Sequence, residues 1–281
     1  MKKGILLLMG IVLFASQMDA QNTDTVRIGN IIIVKSNGTI PVDSTGGPQT
    51  KNDKTIVTVD FTPRKPKNIA TTWFAFDLGI SNWSDQTNYS GAGVQNPTNG
   101  IAPGATKDWL DLRDGKSINF NLWIVSQKVN IVNHKLNLKY AIGIESNNYR
   151  FKKPVLFNEE PYDHITLDNS RGYSKNKLRA DYLTVPVMLN WDFAKKNGRT
   201  YGISAGIAAG YLYTAKQKTI TSPGGKTKDR VDFNLNPVKI SYVGEVTLGH
   251  LKLYGAVATK SMFKDHLDVT PFTVGLRFNS L

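Results

Sequence analysis

The sequence predicts an all-β chain: an eight-stranded antiparallel up-and-down transmembrane β-barrel with a short N-terminal β-rich extension. Three observations carry that reading. Beyond Thr71, apolar residues recur at period two in eight separate stretches, the pattern of strands with one greasy face and one polar or small face. The polar faces carry charges of both signs, whereas a soluble lipid-carrying barrel would keep its apolar side inward. The connections between stretches alternate between long and short, as they do in membrane barrels.

Residues 1–20 read as a secretory signal. Lys2 and Lys3 precede an apolar run, residues 4–14, that is too short to span a bilayer as a helix. A retained signal anchor is the alternative. Residues 21–70 form an expected periplasmic extension. Two β-like runs, 26–35 and 55–62, flank a Gly/Pro/Ser/Thr-rich piece, 37–52. The triplet Ile31, Ile32 and Ile33 suits a covered strand or a docking edge. Arg64, Lys65, Pro66 and Lys67 make a basic, proline-broken linker. One hairpin and a mostly disordered leader fit this composition equally.

Residues 71–281 are the expected barrel. Strand 73–80 puts Phe74, Phe76, Leu78 and Ile80 opposite Ala75, Asp77 and Gly79, and strand 117–125 puts Ile118, Phe120, Leu122 and Ile124 opposite Asn119, Asn121 and Trp123. Strand 136–144 is the cleanest, with Leu136, Leu138, Tyr140, Ile142 and Ile144 against Asn137, Lys139, Ala141 and Gly143. The remaining strands are 182–193, 200–213, 239–248, 251–259 and 270–278. Pro186 lies on an inward set and lacks a ladder donor, so a bulge or bend is expected there. The long connections are 81–116, 146–181, 214–238 and 260–269. The short ones are 126–135, 194–199 with its Asn-Gly turn, and 249–250.

Strand lengths near the ~9–11 residues of a tilted bilayer crossing favour lipid over a soluble core. Outward aromatics also fall at the strand ends: Trp191, Phe193, Tyr201 and Phe278 at the short-turn end, and Tyr211, Tyr213, Tyr242 and Phe272 at the long-loop end. Two such girdles are expected at two membrane interfaces. Inward charges, Asp77, Lys139, Glu145, Asp192, Lys239, Glu245, Lys252 and Arg277, would share an interior just wide enough to be filled by side chains. Buried there, they must pair, which describes an ion-paired plug. Asp77 with Arg277 is the natural pair, because the first and last strands must meet to close a barrel.

Two stretches resemble the PorT-like outer-membrane β-barrel domain group of Bacteroidetes, small barrels of the OmpA/OmpX type. They are Asn176-Lys-Leu-Arg-Ala-Asp-Tyr-Leu-Thr-Val-Pro-Val-Met-Leu-Asn190 and Pro271-Phe-Thr-Val-Gly-Leu-Arg-Phe278. The resemblance covers residues 71–281. It implies an exported, multi-pass protein of the cell outer membrane and assigns no chemistry.

The chain contains no cysteine, which excludes disulfides, thiolate metal sites and a lipid-anchored lipoprotein. Its formal net charge is +13, which points to an anionic surface or ligand; nucleic acid is excluded by export and by the lack of a binding motif. Arg150, Lys152, Lys153, Arg171, Lys175, Lys177 and Arg179 lie in and beside the second long connection, and Lys216, Lys218, Lys226, Lys228 and Arg230 in the third. Cations so placed would meet phosphorylated headgroups or lipopolysaccharide, worth about 1 kcal/mol each near such a surface. His134, His164, His250 and His266 lack a serine and acid at catalytic spacing. Glu159, Glu160, Asp163 and Asp168 read as a solvated acidic patch before a cation site. No cofactor or metal is expected. The sequence thus predicts a non-enzymatic structural or interaction barrel whose outer loops and periplasmic extension meet partners. A narrow transport channel and a lipid-modifying enzyme are the alternatives.

Overall fold

Eight long strands close on themselves, each hydrogen-bonded to two antiparallel neighbours. The computed structural model describes residues 25–28, 31–36, 55–60 and 67–278, the last span without 197, 223, 231 and 232. The chain divides into two units, Met1–Pro66 and Lys67–Leu281.

In the first unit, β1 (Thr25–Ile28) and β2 (Ile31–Ser36) form an antiparallel hairpin, and β3 (Thr55–Asp60) runs parallel to β2. The Ile31–Ile33 triplet therefore lies on a central strand, paired on both sides. The signal expected over residues 1–20 lies outside the described residues, as do the 37–52 piece and Arg64, Lys65 and Pro66.

In the second unit the ring strands are β4 (Ile69–Asp85), β5 (Ile118–Val132), β6 (Leu136–Arg150), β9 (Gly172–Lys196), β10 (Arg199–Ser222), β12 (Val238–Leu248), β13 (Leu251–Ala258) and β14 (Val269–Phe278). Sequence neighbours pair throughout, and β14 closes onto β4 with Arg277 opposite Asp77. All eight expected strands are present, with the expected alternation of faces. Leu183, Val185, Val187, Leu189 and Trp191 are exposed on β9, while Thr184, Met188 and Asn190 between them are buried. Every girdle aromatic is exposed except Tyr201, which is half-buried. An apolar belt of this extent in water would far exceed the few hundred Å² that soluble monomers show.

The structure departs from the sequence pattern, or adds to it, in three places. First, the strands outgrow the span: β9 has 25 residues and β10 has 24. The alternating pattern stops near Tyr182 and Tyr213 because the outward face turns polar, yet the hydrogen-bond ladder continues to Gly172 and Ser222. Second, the long connections carry structure. The second holds the hairpin β7 (Val155–Asn158) with β8 (His164–Leu167), and the third holds β11 (Gly225–Arg230), which adds to β10. Third, Pro186 makes no bulge. Register continues unchanged from Val187 opposite Tyr140 to Thr184 opposite Gly143, and the ladder skips the rungs between. Register shifts fall elsewhere, on β5 between Trp123 and Val125 and between Asn130 and Val132, and at three places where β10 pairs with β9.

The long connections meet over one end of the ring and bury a core of their own. Trp83, Leu112, Phe151, Val155, Phe157, Phe233, Leu235, Phe263 and Val269 belong to it, with α1 (Ala92–Gln95) supplying Val94. Phe157 meets Phe233 edge to face and lies parallel to Phe263, at centroid distances of 4.9 and 6.3 Å. This cap contains residues from all four long connections or the strand ends beside them.

Candidate functional site

Inward positions of the eight strands place a polar network along the barrel axis. Arg277 on β14 donates from Nε to Asp77 Oδ1 at 2.7 Å, from Nη2 to Asp77 Oδ2 at 2.9 Å, and from Nη1 to Glu245 Oε2 at 2.6 Å. Asp77 Oδ2 also accepts from Trp123 Nε1 at 2.8 Å and Asn121 Nδ2 at 3.1 Å. Lys139 reaches the other oxygen of Glu245, Lys239 pairs with Glu145, and Lys128 pairs with Asp192. Asn147 and Thr184 complete the shell of Glu145. Lys252 sits directly across from Arg277 on one side and Thr247 on the other.

Asp77, Lys139, Glu145, Asp192, Glu245, Lys252 and Arg277 are thus all brought to one interior. Four carboxylates, counting Asp77, Glu145, Asp192 and Glu245, face five cations, counting Lys128, Lys139, Lys239, Lys252 and Arg277. Buried carboxylates persist only when paired and hydrogen-bonded, and here each is. Gly79 and Gly275 face each other across the closing seam. A Cβ on Gly79 would meet Tyr254 Oη at 2.6 Å, so the glycine makes room for Tyr254 to donate to Asn119. The hollow left among Asp77, Trp123, Glu145, Glu245, Tyr254 and Arg277 has about 30 Å³, room for about two waters.

Lys128 was not legible as a lumen residue. Alternation extended from residues 117–125 points it outward. The register shift after Trp123 flips the parity, so Lys128 faces Lys139 across the ladder and turns inward.

The seven cations expected to meet headgroups lie beyond the aromatic belt at the long-loop end. Period two sorts them: Asn176, Leu178 and Ala180 are buried, so Lys175, Lys177 and Arg179 face out. The ladder then aligns like charges. Arg150 on β6 is directly opposite Lys177 on β9, Lys177 is opposite Lys218 on β10, and Lys218 is opposite Lys228 on β11. One residue pair nearer the membrane, Arg179, Lys216 and Arg230 form a second such row. Like charges directly opposite in a sheet are destabilising. Ion pairs relieve some cations: Lys152 with Asp111 at 3.2 Å, Lys153 with Asp108, Arg171 with Asp168 at 3.7 Å, and Arg179 with Asp181 at 2.8 Å. None of the described carboxylates pairs with the row Arg150, Lys177, Lys218 and Lys228. Burial, followed by the charges of Lys175, Arg179 and Lys218, pushes the Lys177 ammonium down to about 8. Hydrogen bonds from Ser170 and Tyr173 hold the Asp168 carboxyl down at about 2.

Residues 79–279 match the family model of the outer membrane protein beta-barrel domain. The chain belongs to that family. An outer-membrane barrel accounts for the apolar belt as lipid-facing surface and for the buried charges as lumen. No curated protein matches the chain.

The four histidines of this barrel are dispersed. His134, at φ 52°, and Asn133 make the β5–β6 turn, and His250 follows Gly249 in the β12–β13 turn. His164 Nδ1 lies 2.7 Å from the Tyr162 carbonyl, and the His266 ring packs over Gly93. The acidic patch is not a cluster: Asp163 accepts from the Asn234 amide at 3.1 Å, and Asp168 is held by Ser170 and Tyr173. Among the described residues no group of three or more His, Asp or Glu could hold a metal ion.

Proposed function

We propose that this outer-membrane barrel is a non-enzymatic, non-conducting structural and interaction protein, of the PorT-like group, held in the outer leaflet by phosphorylated lipid such as lipopolysaccharide. The observation that carries this reading is the row Arg150–Lys177–Lys218–Lys228. Four cations in register across four strands oppose one another in the isolated chain. A sheet of phosphate groups removes that repulsion and turns it into attraction of about 1 kcal/mol per cation. Lys218 lies five residues beyond the girdle tyrosine Tyr213, about 17 Å along the strand, which suits the phosphorylated headgroups and inner sugars of the outer leaflet. The cap then stands above the leaflet as the surface presented to partners.

The test is reconstitution of the full chain into vesicles containing lipopolysaccharide or only neutral lipid. Lipopolysaccharide is expected to raise the unfolding midpoint, and the triple variant K216Q/K218Q/K228Q is expected to lose most of that gain. Equal midpoints in the two vesicle types would overturn the reading. Planar-bilayer recordings on the same preparation are expected to show no current above the buffer control, because the lumen is filled; steady conductance would favour the channel alternative.

A further inference from the structure

The cap carries a second basic feature, distinct from the charged rows in being concave. Residues 111–113 lie against the top of β6, with Leu112 bridged to Phe151, the Arg113 amide donating to the Arg150 carbonyl at 2.7 Å, and the Lys152 amide donating to the Asp111 carbonyl at 2.8 Å. The Phe151 amide in turn donates to the Asn176 carbonyl at 3.1 Å. Leu112, Phe151 and Asn176 are buried. Because side chains alternate across an extended strand, Arg113, Arg150, Lys152 and Lys175 must all leave by the opposite face. Lys153 and Arg171 close the sides, and the result is a hollow of about 180 Å³.

Six cations line this hollow, and among the described residues no carboxylate does. Asp108, Asp111 and Asp168 touch three of those cations from the periphery, which leaves Arg113, Arg150 and Lys175 without a counter-charge among the described residues. The two guanidinium groups are fixed rather than loose. Arg150 Nη2 donates to the Ser174 carbonyl at 2.7 Å, and Arg113 Nε donates to the Phe151 carbonyl at 3.2 Å. Arg150 Nε is sealed from solvent and has no hydrogen-bond partner. A buried charged donor left unmade is costly.

We propose that this hollow is a binding site for one phosphomonoester group. Pre-positioned guanidinium forks match the oxygens of a phosphate, and a dianion balances several converging cations better than a carboxylate does. The hollow is below the size of a drug-like pocket, so it seats the charged group and leaves the rest of its carrier outside. Two carriers share that chemistry: a phosphorylated glycolipid of the outer leaflet and a soluble sugar phosphate. The inference deepens the lipid-binding reading above and rests on its premise that this face meets the outer leaflet when the carrier is a lipid.

The experiment titrates the full chain in nanodiscs with four probes: glucose 1-phosphate, inorganic phosphate, hexa-acylated lipid A bearing its phosphates, and the same lipid A dephosphorylated. The hollow is altered by R113Q/R150Q and, at its exposed rim, by R171Q/K175Q. The remainder of the row, which shares Arg150 with the hollow, is altered by K218Q/K228Q, so R171Q/K175Q is the pair that tests the hollow free of the row. Heat-modifiable migration in gels checks that each variant folds. Saturable binding near one per chain is expected, weakened about tenfold or more by either hollow pair, as losing a charge-assisted bond implies. R150K, which keeps the charge and loses the fork, is expected to recover only part of it. Binding of the soluble phosphates assigns a soluble carrier; binding of phosphorylated lipid A alone assigns the glycolipid; either supports the site. If both hollow pairs bind every probe as the parent does while K218Q/K228Q weakens lipid A, the hollow is overturned and the lipid-binding reading stands. If neither set of changes matters, both fall.

Discussion

In the barrel wall, Asp77, Asn119 and Glu245 are buried while Leu189 and Ile207 are each 56% exposed. In the cap directly above it, Val155, Phe151 and Phe263 are buried while Lys152, Asp108 and Arg171 are on the surface. One continuous chain therefore obeys opposite burial rules at two heights. β9 shows the change within a single strand. Its lower half turns Leu183 to Trp191 outward, and its upper half turns Lys175, Lys177 and Arg179 outward while burying Leu178. The backbone ladder is the same in both halves. What differs is the solvent: acyl chains below, water above. Polar side chains are therefore confined to the lumen in the wall, where they must pair, and released to the surface in the cap.

The comparison breaks most severely where one guanidinium serves two carboxylates. R277M leaves the buried Asp77 without its cation and Glu245 with Lys139 alone, and about 3–5 kcal/mol of stability should be lost. Urea unfolding in vesicles measures this, and the double change D77N/R277M, which leaves Glu245 paired with Lys139, is expected to recover most of it, since neutral replacement of a buried ion pair is often tolerated. The cap should fail in the ordinary way. F263A removes a fully buried ring, and a local cost of about 3–5 kcal/mol is expected. Limited proteolysis should then cut the cap loops while the wall keeps its heat-modifiable migration. V187R, outward and near mid-span, should cost about 2–4 kcal/mol, whereas a new arginine at the outward position Lys216, above the belt, should cost nearly nothing by the same urea measurement.

The smallest effect concerns Lys177. Its folded pKa of about 8 lies below the ordinary lysine value. Between the two, the unfolded chain holds the proton that the folded chain has released, so stability rises as pH climbs above about 8 and this gain is absent below it. Phosphate beside the row should reverse the shift, so lipid binding near pH 8 should take up protons. Calorimetry in two buffers of different ionisation enthalpy detects that uptake. K177Q should remove both effects and stabilise the lipid-free protein by a few tenths of a kcal/mol.

The wall was legible because lipid and lumen impose one rule on alternate residues for a whole strand. Leu136 to Ile144 shows it without a break, and the meeting of Asp77 with Arg277 follows from closure alone. Lys128 was not legible, since a register shift on β5 after Trp123 inverts the side chains that follow it, up to a second shift after Asn130. The cap was not legible either. Phe151, Phe157, Phe233 and Phe263 are isolated aromatics in polar stretches, with no period to mark them, and they meet only because the barrel brings four connections to one end. Their concentration in loops, where solvated residues are the norm, was the one signal available. Arg113 was missed for a related reason: it joins the hollow through a lone bridge at Leu112, a contact no local pattern encodes.

The most direct test of the two burial rules is a labelling scan along β9, made clean by the absence of native cysteine. Single cysteines at positions 183 to 191 carry an environment-sensitive fluorophore in vesicles containing brominated lipid. Quenching by bromine should alternate, strong at 183, 185, 187, 189 and 191 and weak at 184, 186, 188 and 190. Uniform quenching along the strand, or quenching of the odd positions by aqueous iodide instead of bromolipid, would contradict a wall whose greasy face lies against acyl chains.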